Sequence, residues 1–182
     1  MTSQLLSTLS ETLTYPHLIL AYFTAYIVFP PLCLVLKPLP ALRMAVDSRS
    51  LLVRCFLYYA VGDVFLSLSE GIDNYLIMGM SMFMVGHVEY LSRSKHMCLS
   101  VYALLVVILM FVPKLPETVS LCLFYFPLLI ACVIYAYNND MDRVPGWLLF
   151  LISDLLLATE IVFDIGFGKI PLVIYWTSLY LL

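Results

Sequence analysis

Long apolar runs follow one another through this chain with only a few polar residues between them. Residues 15–36 open the series, and residues 51–69, 75–91, 97–112, 118–137 and 145–163 continue it. A half-buried strand would alternate polar and apolar side chains, and a helix on a soluble protein would keep a polar face. These runs do neither. About 20 apolar residues in a helix match the hydrocarbon core of a bilayer. The expected fold class is therefore all-α, a polytopic transmembrane helix bundle.

Composition closes off the alternatives. Of 182 residues, 63% are apolar and 12% are charged, about half the ~25% charged share of a soluble domain. Mean hydropathy is +1.01. A soluble globular enzyme and a disordered chain are both excluded. The nine basic residues are not interleaved with aromatics as a nucleic-acid face requires, so no nucleic-acid partner is expected. The expected surroundings are a lipid bilayer. Cys33, Cys55, Cys98, Cys122 and Cys132 fall in apolar runs without CxxC or other ligand spacing, and read as small buried hydrophobes.

The number of spans turns on the N-terminal region. Pro30 and Pro31 interrupt the first run, which can break there and resume as a second short helix to Val46, containing Lys37, Pro38, Pro40 and Arg43. One crossing in this region gives seven spans in all, and two give eight. The last piece, residues 170–182, is short for a span. Residues 1–14 hold Glu11 and no Lys or Arg. They lack the basic start of a signal peptide, so they are expected to form a tail before a retained first span. Residues 15–182 are expected to be a single transmembrane domain, because no shift in composition marks a boundary.

Basic residues predict the orientation. Arg43, Arg49, Arg54, Arg93, Lys95 and Arg143 fall in loops of one side, and Lys114 and Lys169 in loops of the other. The positive-inside rule puts the first group, and with it the C-terminus, in the cytosol. The endoplasmic reticulum or another cellular membrane would suit such a chain. Residues 56–73 also align with residues 147–164 through identical Leu57/Leu148, Asp63/Asp154, Leu66/Leu157 and Asp73/Asp164. A parallel repeat of the kind some transporters have, or chance in an apolar-biased stretch, would give this.

Against this background the ionisable residues inside runs stand out. A charge at mid-bilayer costs about 2.5–3.5 kcal/mol on insertion scales. Asp63 and Asp154 each sit deep in a run, and an aspartate has one methylene and cannot reach the interface. Each follows a small residue, Gly62 or Ser153, which lets a neighbouring helix approach closely. They read either as two carboxylates in one polar cavity or as interhelical hydrogen bonds that fix the bundle. His87 shares a helical face with Phe83 and Tyr90. Lys37, beside Pro38, is either an interfacial lysine or a site cation. His17, His87 and His96 lack ligand spacing, so no metal and no cofactor are expected. GxSxG, Walker and HExxH sequences are absent, which removes support for serine-hydrolase, nucleotide and zincin chemistry.

KPLPAL at residues 37–42, YYAVGDVFL at 58–66, GMSMFMVGHVEY at 79–90 and GWLLFLISDLLLA at 146–158 together resemble the successive signatures of the lysoplasmalogenase (YhhN-like) membrane family. Each motif alone is weak, and four in order are fairly specific. The resemblance implies an eight-helix membrane protein. It also implies hydrolysis of the vinyl ether bond of a lysophospholipid substrate, a lysoplasmalogen. The products would be a fatty aldehyde and glycerophosphoethanolamine or glycerophosphocholine. By resemblance, Asp63 and Asp154 carry over as catalytic candidates, and Lys37, His87 and Tyr90 as substrate-binding candidates. Two departures are visible. The glutamine usual in the family's last helix is Leu179 here, and residues 47–50 are polar where apolar residues are usual.

The chemistry suits paired carboxyls. A vinyl ether breaks when its β-carbon is protonated and water attacks the resulting oxocarbenium ion. Two carboxyls close together in a poorly hydrated site share protons unequally, so one serves as acid while the other stays ionised. The same two residues would also suit a small proton-coupled carrier. The lost glutamine would suit a non-catalytic lipid-binding protein.

Overall fold

A computed structural model of the chain describes residues 15–47, 52–69, 73–92, 117–163 and 165–182. Among these residues the fold is all-helical. Helix α1 spans Tyr15–Val28 and stops before the Pro30–Pro31 pair, because the residue before a proline is pushed out of the helical region. A 3-10 turn at Pro30–Leu32 leads into the single turn α2, Cys33–Leu36, and the chain resumes as α3, Leu39–Asp47. Next come α4, Val53–Leu68, and α5, Asp73–Leu91. They are followed by α6, Glu117–Asn139, α7, Val144–Phe163, and α8, Ile170–Leu181. The apolar run at residues 97–112 lies outside the described residues.

Among the described residues, two segments, Val119–Asn139 and Met141–Ile161, are long and apolar enough to cross a membrane. The apolar stretches of α1 and α8 are shorter, and α4 has 16 residues. The outward faces carry hydrocarbon. On α6, Leu123, Ile130, Ile134 and Tyr137 are exposed, while Tyr125, Leu128, Leu129, Cys132 and Ala136 are buried. On α7, Leu148, Ile152 and Leu155 point out, while Trp147, Phe150 and Ser153 point in. Polar groups, meanwhile, sit in the interior: Asp63, His87, Ser153 and Ser178 are all buried.

Small residues set the closest helix approach. Any Cβ on Gly62 of α4 would stand 2.7 Å from the Phe83 ring of α5, so only glycine allows these helices to meet there. The space is filled by an aromatic core. Tyr59 stacks on Phe83 with ring centroids 5.4 Å apart, and Phe150 meets Tyr175 edge-on at 5.2 Å. Each such pair adds about 0.5–1.5 kcal/mol beyond its buried area. On the far side, the Ser153 hydroxyl donates to the Pro171 carbonyl at 2.7 Å and ties α7 to the first turn of α8. The two small residues that precede the aspartates thus both lie at helix contacts.

Candidate active site

Asp63 follows Gly62 at the α4–α5 contact and is buried. Tyr175 of α8 donates its hydroxyl hydrogen bond to Asp63 Oδ2 at 2.9 Å. Asp154 projects from the inner side of α7 beside Ser153 and accepts a hydrogen bond from the Tyr125 hydroxyl of α6. Both aspartates line one cavity of about 180 Å³, and the Asp63 charge acts on Asp154. The Lys37 ammonium, from the residue that follows α2, lines the same cavity and acts on Asp63.

Most of the remaining wall is apolar, with Leu66, Met80, Phe83, Leu157 and Leu172 contributing. The turn from α7 to α8 adds Gly168 and Lys169, and Glu160 lies nearby on α7. Gly168 has a φ of 62°, a conformation that favours glycine. Lys169 sits 4.4 Å over the centre of the Tyr26 ring, a cation–π contact with α1. The space can hold a slender apolar chain together with several waters, with three carboxyls (Asp63, Asp154, Glu160) and two ammonium groups (Lys37, Lys169) on its wall.

His87 and Tyr90 do not line this cavity. His87 is 0% exposed and lies one layer behind it. Its Nδ1 is 2.9 Å from the Tyr59 hydroxyl and its Nε2 3.3 Å from the Tyr125 hydroxyl. It therefore reaches Asp154 only through Tyr125. Tyr90 packs on Trp147 with centroids 4.6 Å apart and edge-on to Tyr135 at 5.2 Å. Leu179 is fully buried in the core and is also absent from the cavity wall. A glutamine at this position would sit in the packed interior. Among the described residues no cluster of His, Cys, Asp or Glu is arranged to hold a metal.

The hydroxyls of Tyr59, Tyr125 and Tyr175 were not singled out by sequence reasoning. They are three of thirteen tyrosines, and nothing in local pattern separates a carboxylate partner from an interfacial or core ring.

The chain matches the YhhN family over residues 17–181. It belongs to the YhhN family. That family includes lysoplasmalogenases. No curated protein and no solved structure matches the chain. For this YhhN member, the match runs through every helix that contributes to the cavity, from Tyr22 of α1 to Tyr175 of α8. What its geometry offers chemically is a pair of carboxyls, each held by a tyrosine from a different helix, facing an apolar space. Such an arrangement can donate a proton at one point and accept one at another.

Proposed function

We propose that this YhhN protein is a multi-pass membrane hydrolase that cleaves the vinyl ether bond of lysoplasmalogens. The observation that carries the proposal is the convergence of Asp63 and Asp154 on one largely apolar cavity. The apolar outward faces of α6 and α7 support the membrane setting. The family supports the reaction class. The C-terminus is assigned to the cytosol from the basic loops.

The substrate has one hydrocarbon tail, and the vinyl ether joins that tail to glycerol. The tail lies along Leu66, Met80, Leu157 and Leu172, which brings the ether bond level with the two aspartates. Lys37 contributes positive charge there, next to Asp63, and helps to hold the phosphate or an ionised carboxylate. One aspartic acid gives its proton to the β-carbon, and the π electrons form the new C–H bond. The α-carbon becomes an oxocarbenium ion. Water forms a bond to this carbon and loses a proton to the other aspartate, which gives a neutral hemiacetal. The hemiacetal hydroxyl returns a proton to the first aspartate as its C–O bond to glycerol breaks. The second aspartate then delivers its proton to the departing glycerol oxygen. One water is consumed, both carboxyls are restored, and no redox partner is needed. Tyr125 and Tyr175 keep the carboxyls aimed, and His87 acts behind Tyr125.

The testing experiment is aldehyde release from lysoplasmenylethanolamine by the purified protein, with Asp63→Asn and Asp154→Asn beside wild type. Loss of a general acid or base typically lowers turnover by about 10²–10⁴-fold. Turnover by wild type with losses on that scale in both variants is the expected result. Wild-type protein that releases no aldehyde would overturn the reading.

A further inference from the structure

The reaction above needs one aspartate to be the acid and the other to be ionised, and the hydrogen bonds behind Asp154 distinguish them. Tyr125 has a single hydroxyl proton, which it donates to Asp154 Oδ2. Its oxygen is then left to accept from His87 Nε2, 3.3 Å away. An uncharged imidazole has one N–H and one bare nitrogen. With the proton on Nε2, Nδ1 must accept, and the Tyr59 hydroxyl 2.9 Å away must donate. All three donors thus point toward Asp154. The histidine ring is sealed among Tyr59, Tyr125, Trp147 and Phe150, with centroids 5.4, 5.3, 5.7 and 5.4 Å away.

Such a chain has a defined use. With Oδ2 occupied as an acceptor, the Asp154 proton is carried by Oδ1, the oxygen left for substrate. When that proton leaves, the negative charge is drawn into three aligned hydrogen bonds, each polarising the next. Asp63 has a different environment. It receives Tyr175 and shares the cavity wall with the Lys37 ammonium, whose charge acts on it, a setting suited to a carboxylate that is charged from the outset.

We infer that Tyr59, His87 and Tyr125 are positioning residues that hold Asp154 as the proton donor of the pair, with Asp63 as the ionised partner. The inference rests on the vinyl ether reading. Asp154 Oδ1–H breaks as the β-carbon C–H bond forms, and Asp63 takes the proton of the attacking water.

Two measurements on the purified full-length chain test it. The first is kcat, KM and thermal midpoint for Tyr125→Phe, His87→Leu and His87→Gln with lysoplasmenylethanolamine. Tyr125→Phe and His87→Leu are expected to lower kcat about 10- to 100-fold, the scale of lost outer-shell partners, with KM within about twofold. His87→Gln, whose amide N–H can stand in for Nε2–H, is expected to recover most of that loss. Unchanged kcat in all three overturns the inference, as does a Gln variant no better than Leu. The second is trapping with sodium azide, which bonds to the α-carbon of an oxocarbenium ion without needing a base. Asp63→Asn should yield the azido ether, because the ion still forms, and Asp154→Asn should not. Adduct from Asp154→Asn, or from neither variant, overturns the assignment. Wild-type protein without turnover overturns the vinyl ether reading and this inference together. Wild-type turnover with either failure above overturns the inference alone.

Discussion

The Tyr175 hydroxyl of α8 meets Asp63 Oδ2 of α4 at 2.9 Å, across 112 residues of sequence. Both side chains are buried. The last helix therefore completes a candidate site whose first carboxylate comes from the first half of the chain. Its alignment depends on α7, through the Ser153 bond to the Pro171 carbonyl.

Tyr175→Phe leaves Asp63 without this donor. A buried acceptor that loses its partner costs about 1–3 kcal/mol, so the thermal midpoint should fall. Aldehyde release should drop about 10-fold or more, on the scale of a lost hydrogen bond to a charged group. Thermal melts and turnover on the same preparation check both. A variant as active and stable as wild type would show that the hydroxyl does not support Asp63.

Gly62→Ala is expected to lower both stability and turnover. The added methyl meets the Phe83 ring at 2.7 Å and the Gly79 carbonyl at 3.1 Å. Overpacking of this kind costs about 1–3 kcal/mol, and here it also displaces the neighbouring Asp63. Gly166→Ala is the matched control, because nothing lies within 4 Å of an added Cβ there. Thermal midpoints of the two variants should separate clearly, with Gly166→Ala close to wild type.

Leu179→Gln installs the glutamine that the sequence resemblance leads one to expect in the last helix, and it should not raise activity. Leu179 is fully buried and outside the cavity wall. An amide there without partners costs about 1–3 kcal/mol on protein scales. The expected outcome is a lower thermal midpoint with kcat no higher than wild type. A marked gain in kcat would mean that position 179 reaches the reacting groups.

The helices were legible because apolar length is a one-dimensional signal. The run at residues 145–163 corresponds to α7 at Val144–Phe163, and the prolines at 30 and 31 mark the break after α1. Asp63 and Asp154 were legible for the opposite reason, as expensive exceptions inside those runs. Depth was not legible. Periodicity puts Phe83, His87 and Tyr90 on one face of α5, yet only Phe83 reaches the cavity, while His87 and Tyr90 lie behind aromatic rings. The carboxylate partners were not legible either. Tyr125 and Tyr175 acquire their roles from contacts between helices distant in sequence, which no local pattern records.

Proton transfer to carbon leaves a permanent label when the reaction is run in heavy water. Hydrolysis of lysoplasmenylethanolamine by the purified protein in D2O should place one deuterium on the aldehyde carbon next to the carbonyl. Mass spectrometry of the aldehyde, trapped by reduction as it forms, reads this out. One C–D bond per aldehyde is expected from wild type, and no aldehyde above background from the Asp63→Asn, Asp154→Asn double variant. Aldehyde without carbon-bound deuterium, or undiminished release by the double variant, would contradict carbon protonation by the aspartate pair.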